Sequence, residues 1–153
     1  MRGASEDLRA LAAGRLLARR NARAGLLDFT QYTYPQYVAD PVHALIASTL
    51  DRVVAGELTR LMIFAPPQHG KSELTSVRLP AFWLGQRPDD PVILTSYGAT
   101  LAESKSRQVR DILIGDEFRA LFGELAPMEE PVQLRPDSRA VARWQLAGHR
   151  GAM

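Results

Sequence analysis

The chain has no cysteine, so disulfides, thiolate metal sites and cysteine nucleophiles are excluded together. Its three histidines, His43, His69 and His149, are too dispersed along the sequence to read as a zinc site. No stretch approaches the roughly 18 consecutive apolar residues that span a bilayer. Glu6, Asp7 and the arginines scattered through the first apolar segment are unlike a secretory leader, and a cytoplasmic location is expected. Neither sign of charge dominates: the net charge of +2 permits contact with polyanions without demanding it. What is present is ordinary globular composition, 46% hydrophobic and 24% charged, which excludes disorder for the bulk of the chain. A length of 153 residues fits one domain, or a large part of one.

From Leu8 to Leu27, Leu8, Leu11, Ala12, Leu16 and Leu27 recur at near-helical spacing, with Arg15, Arg19 and Arg23 four apart. The pattern predicts an amphipathic helix with a basic face, either solvated or set against a phosphate backbone. Residues 28–40 are aromatic and polar, and Pro35 disfavours helix at Tyr34, so an extended loop is expected. Asp40-Pro41 supplies an N-cap and a first-turn proline. Val42, Leu45, Ile46, Leu50, Val53 and Val54 follow as one apolar face, with Gly56 suited to the stop. Residues 1–40 thus read as a basic helix and aromatic loop ahead of a second unit, residues 41–153.

Two short apolar runs, 61–65 (LMIFA) and 91–98 (PVILTSYG), read as buried strands of a parallel sheet. Each precedes a helical pattern, the first from Lys71 and the second from Leu101 to Ile114. Strand, helix, strand, helix implies βαβ units and an α/β sandwich. Pro80, about nine residues into the first of these helices, is expected to kink or end it. Residues 117–121 read as a short helix, 127–136 as loop, and Val141, Trp144 and Leu146 as a β segment.

Between the first strand and helix stands Ala65-Pro66-Pro67-Gln68-His69-Gly70-Lys71-Ser72, a phosphate loop in relaxed form with alanine at its first position. The chemistry requires these residue types. Gly70 lets the chain turn with no side chain in the way, and amides from His69 through Glu73 can converge on a polyphosphate at a helix N-terminus. Lys71 can reach the β- and γ-phosphates, and the Ser72 hydroxyl can ligate Mg²⁺. Pro66 and Pro67 stiffen the side that does not donate. His69 is either a base or a spacer whose amide matters more than its ring. A plain strand-to-helix turn with an exposed lysine is the alternative for the whole loop.

Hydrolysis also requires carboxylates to hold the Mg²⁺ water and activate the attacking one. Residues 112–117 (ILIGDE) have the look of such a motif. Helical periodicity runs into them from Arg107, however, and resumes at Phe118, so they read as helix. Asp89-Asp90 precedes a strand, the wrong end for catalysis in a parallel sheet.

The segments Pro66 to Leu74, Pro80 to Gly85, Ser96-Tyr97-Gly98, Leu101-Ala102 and Ser106 to Arg110 together resemble the large subunit of tailed-bacteriophage terminases, over about Asp28 to Trp144. The resemblance implies an N-terminal ATPase domain with a three-layer αβα sandwich and mainly parallel sheet, here incomplete and preceded by the amphipathic helix. It implies ATP and Mg²⁺ as cofactors, with Lys71 as the catalytic cation, Ser72 as the Mg²⁺ ligand, and Ala65 through Glu73 around the phosphates. The resemblance also implies an aromatic and glutamine cluster upstream of the loop that touches adenine, for which Tyr34, Gln36 and Tyr37 are the candidates; ordinary loop packing is the equal alternative for them. Double-stranded DNA, a portal protein and the small terminase subunit are the implied partners, in the host cytoplasm, with homo-oligomers in a full-length form.

Two departures stand out. Gln68 occupies the slot where many such loops carry arginine, and the family's acidic second motif and nuclease are not matched. The chain is therefore expected to be an N-terminal fragment that binds ATP without steady turnover. Lys105, Arg107 and Arg110 share a helix and read as a solvated basic face or a DNA track; Ser96 and Tyr97 either couple hydrolysis to movement or fill the sheet edge. A non-catalytic assembly protein and a small P-loop kinase are the competing readings. A loop preceded by 64 residues and the lack of an arginine-rich lid count against the kinase.

Overall fold

The computed structural model describes residues 2–123, 131–137, 140 and 143–153. Seven α-helices and one π-helical turn are found among them: α1 (Arg2–Ala24), α2 (Leu26–Thr33), α3 (Pro41–Val54), α4 (Lys71–Glu73), the π turn (Leu74–Arg78), α5 (Leu79–Gln86), α6 (Ala99–Ile114) and α7 (Asp116–Leu121).

The α/β sandwich with a mainly parallel sheet is not formed. Among the described residues the chain is mainly helical, with no sheet and only isolated bridges, Leu134 with Leu146 and Gln145 with Ala152. The apolar runs 61–65 and 91–98 are extended but pair with no strand there. A buried strand must bury both faces, whereas Met62 and Phe64 are 81% and 90% exposed and Ile93 is 87% exposed. Only the alternate residues Ile63 and Val92 reach the helical core.

That core is aromatic. Phe29 of α2 lies 5.3 Å from Phe82 of α5, 6.2 Å from Phe122 after α7, and edge-on to Phe118 of α7 at 6.4 Å. Tilted and edge-on rings at these separations are the favourable arrangements of their quadrupoles. Ala22, Leu26 and Phe29 are fully buried in the same core as the later helices.

Residues 28–33 of the aromatic segment are helical where an extended loop was expected, whereas 34–40 are non-helical as Pro35 predicts. Leu26, Phe29 and Thr30 fall at helical spacing, and the Thr30 and Thr33 hydroxyls donate to the Leu26 and Phe29 carbonyls at 2.7 and 2.8 Å. Asp51 of α3 accepts from the Leu26 amide at 2.8 Å, taking the place of an N-cap at Gly25. α1 is helical as expected, but Leu8, Leu11 and Leu16 are more than half exposed, and its one fully buried residue among those described is Ala22 near the C-terminal end.

α3 starts at the Asp40-Pro41 cap, and Gly56 past its end takes φ 81, a left-handed stop. Its buried face is His43, Ile46, Ala47 and Leu50, whereas Val42 and Leu45 are exposed. The helix does not end at Pro80. The π turn before it carries the bond from the Leu79 amide to the Leu74 carbonyl and so takes up the register change around a residue that cannot donate. Residues 112–114 end α6 and 116–117 begin α7, with Gly115 extended between them, so the segment is helical apart from that break and is no strand.

The C-terminal segment folds back on itself, with mutual bonds between Trp144 and Met153 at 2.9 and 3.0 Å, and touches the second extended run where the Val92 amide donates to Ala152 at 2.8 Å. The Trp144 indole donates to Ser106 of α6 at 3.0 Å. Val141, expected in the same β segment, lies outside the described residues, as do residues 127–130 of the expected loop.

Candidate phosphate-binding site

Residues 66–70 turn the chain from the first extended run into α4. Two left-handed residues make the turn: Gly70 at φ 66 and Gln68 at φ 63. Glycine takes this conformation freely, but glutamine pays strain of order 1 kcal/mol, the kind of cost that concentrates at functional sites. The Glu73 and Leu74 amides return to the Gly70 carbonyl at 3.0 and 3.3 Å and close the first helical turn.

Lys71 folds back over this turn, its Nζ donating to the Ala65 carbonyl at 3.2 Å. That bond uses one of three ammonium N–H groups and aims the cation across the loop mouth. Ser72, the next residue, is exposed. His69 bends its ring back on the turn, Nδ1 donating to the Pro67 carbonyl at 2.7 Å, and so braces the loop. Pro66, Pro67 and Gln68 are exposed on the outer side.

His43 of α3 stands behind the loop. Its Nδ1 accepts from the Asp40 amide at 3.0 Å, and its Nε2 faces the His69 carbonyl at 3.1 Å. Because an amide can only donate and a carbonyl only accept, both bonds hold together only when Nε2 carries the proton and Nδ1 does not. The packing is close: a methyl group on Gly70 would sit 2.7 Å from His43 Nε2.

The aromatic segment closes the other side. Tyr37 meets His43 edge-on at 5.6 Å and Tyr34 at 6.4 Å. Arg78 of the π turn ties this segment to the loop: its Nε donates to Glu73 at 2.8 Å, its Nη1 to Thr33 at 2.9 Å, and its guanidinium lies over the Tyr34 ring at 5.2 Å. Burial raises the Tyr37 pKa above the ordinary phenol range, with the Glu73 and Asp40 carboxylates pushing the same way and Arg78 opposing them. Its hydroxyl is thus a donor, buried and without a partner among the described residues.

The fold therefore gathers Ala65, Gly70, Lys71, Glu73, Tyr34 and Tyr37 around one loop. Gln36 is exposed and makes no side-chain hydrogen bond among the described residues. Sequence reasoning missed His43 and Arg78. A histidine three residues after an Asp-Pro cap is the available signal for the first, since the third helical position can bond back to the N-cap amide. No local pattern announces the second. Among the described residues no three His, Cys, Asp or Glu side chains form a metal cluster, and no helix is long and apolar enough to cross a membrane. No protein-family model, curated protein or solved structure matches the chain.

Proposed function

We propose that residues 65–73 bind the triphosphate of ATP with Mg²⁺, and that the chain is the ATP-binding part of a phage DNA-packaging motor of the terminase large-subunit kind. The observation that carries the reading is Lys71 drawn back to the Ala65 carbonyl across a turn with two left-handed residues. In that posture the ammonium spans a turn that opens a helix, and a cation beside helix-start amides is the electrostatic arrangement that favours a polyphosphate.

The residues present suit the group. Lys71 would hold the phosphates, the exposed Ser72 hydroxyl would ligate Mg²⁺, and the buried Tyr37 hydroxyl offers a donor in search of an acceptor. Mg²⁺ would supply charge neutralisation at the phosphates. The motor reading, with double-stranded DNA, a portal protein and a small subunit as partners, rests on the sequence resemblance around this loop.

One observation favours binding over turnover. Glu73, the loop's own carboxylate, is committed to Arg78 and is poorly placed to activate water. Titration calorimetry with MgATP, alongside phosphate release with linear DNA added, tests both parts. Saturable binding lost in Lys71→Ala, with no steady phosphate release, is expected. Binding that survives Lys71→Ala refutes the site, and robust hydrolysis refutes the binding-only reading.

A further inference from the structure

We infer that His43 is the positioning residue of the phosphate loop, holding the His69-Gly70 peptide so that the amides after it face the anion. The inference rests on the nucleotide-binding reading for its purpose, but its geometry stands apart from any ligand. A glycine at a left-handed turn can swing its flanking peptide, and a loop free to swing presents its amides in many directions. Here one acceptor of that peptide, the His69 carbonyl, is taken by a buried imidazole on a long helix, at 3.1 Å. The imidazole is itself fixed from its other nitrogen by the Asp40 amide at 3.0 Å, and from its face by the Tyr37 ring.

The chain thus runs Asp40 amide to Nδ1, Nε2–H to the His69 carbonyl. With that carbonyl turned toward α3, the peptide's own N–H, which belongs to Gly70, points the opposite way, because the two groups of a trans peptide are antiparallel. A sheet would ordinarily hold the strand leading into such a loop. The run 61–65 has no strand partner among the described residues, so this hold from the side carries more of the burden. The contact also explains why position 70 must lack a side chain for a reason beyond its φ: the space is filled by His43.

Three substitutions separate the roles. His43→Phe keeps a ring against Tyr37 and loses both bonds. His43→Gln can accept from the Asp40 amide and donate to the His69 carbonyl, so it restores both. His43→Glu keeps the helix cap but has no proton for the carbonyl, and covers the case in which the Phe variant fails to fold. In the ligand-free protein, hydrogen exchange at the Glu73 and Leu74 amides, both bonded to the Gly70 carbonyl, should quicken about five- to tenfold in Phe and Glu, the factor set by one net hydrogen bond, and return in Gln. Nitrogen-15 shifts of His43 should report protonated Nε2 and bare Nδ1. MgATP affinity should fall by a similar factor in Phe and recover in Gln. Unchanged exchange in both the Phe and Glu variants, or an Nδ1-protonated ring, overturns the inference, as does unchanged affinity in Phe if the wild-type chain binds. Faster exchange in a chain that never binds MgATP upholds His43 and overturns the nucleotide reading instead.

Discussion

Replacing Gly70 by alanine perturbs the loop in two separable ways. The position has φ 66, and an L-residue held there costs about 1–2 kcal/mol. The new Cβ would also stand 2.7 Å from His43 Nε2 and 3.2 Å from its Cδ2, so the ring must move off the His69 carbonyl and give up about 1 kcal/mol of hydrogen bonding. The sum is about 2–3 kcal/mol, equivalent to roughly 4–12 °C in Tm for a chain of this size. Urea and thermal melts of Gly70→Ala, His43→Ala and the double variant resolve the parts. In the His43→Ala background the steric part vanishes, and the Gly70→Ala cost should shrink by about 1 kcal/mol. Strict additivity, or a Gly70→Ala chain as stable as the wild type, would refute the claim that the histidine and the turn are in contact.

Other outcomes follow from the same packing. Phe29→Ala, which empties the centre of the four-phenylalanine cluster, should destabilise by about 3–5 kcal/mol in denaturant melts. Gly85→Ala should be costly as well, since its Cβ would fall 2.5 Å from the Phe122 ring; a melting point equal to wild type would contradict the tight approach of α5 to that ring. Arg78→Met should lower stability by about 2 kcal/mol, because Glu73 loses its ion pair while still partly buried. Asp51 has its carboxyl pKa raised by burial, an effect opposed by the Leu26 amide and aided by Asp28. A raised folded pKa means this group's contribution is fully present below the ordinary carboxylate value of about 4 and is lost as pH rises through the folded value. Asp51→Asn, which keeps an acceptor for Leu26, should therefore gain on the wild type as pH rises from 3 to 7, and a gap that closes instead would show the sign to be wrong.

Local signals were legible wherever local physics decides. The Asp40-Pro41 start and Gly56 stop of α3, the helix from Lys71, and the helices on either side of Gly115 all depend on neighbours within a few positions, and all stand in the structure. The turn into α4 was legible for the same reason, through Gly70. A sheet is a different matter, because a strand exists only through a partner remote in sequence. The runs at 61–65 and 91–98 have strand-like residues, yet in the described chain each packs one face on helices and leaves the other exposed. α2 was hidden by its own composition: two threonines and a tyrosine disguise a helix whose Leu26, Phe29 and Thr30 spacing was present all along. The π turn was beyond reach, since Pro80 announces a disruption without saying how the backbone absorbs it. The remaining parts of the site, His43 against His69 and Arg78 between Glu73 and Thr33, join elements 26 and 45 residues apart and leave no periodic trace.

Amide chemical shifts on titration with MgATP, MgADP and AMP reach the central claim most directly. If the turn before α4 receives a triphosphate, the Gly70, Lys71 and Ser72 signals should move saturably, with affinity falling as phosphates are removed. Signals that stay fixed in a folded chain, or that respond equally to AMP, would contradict it.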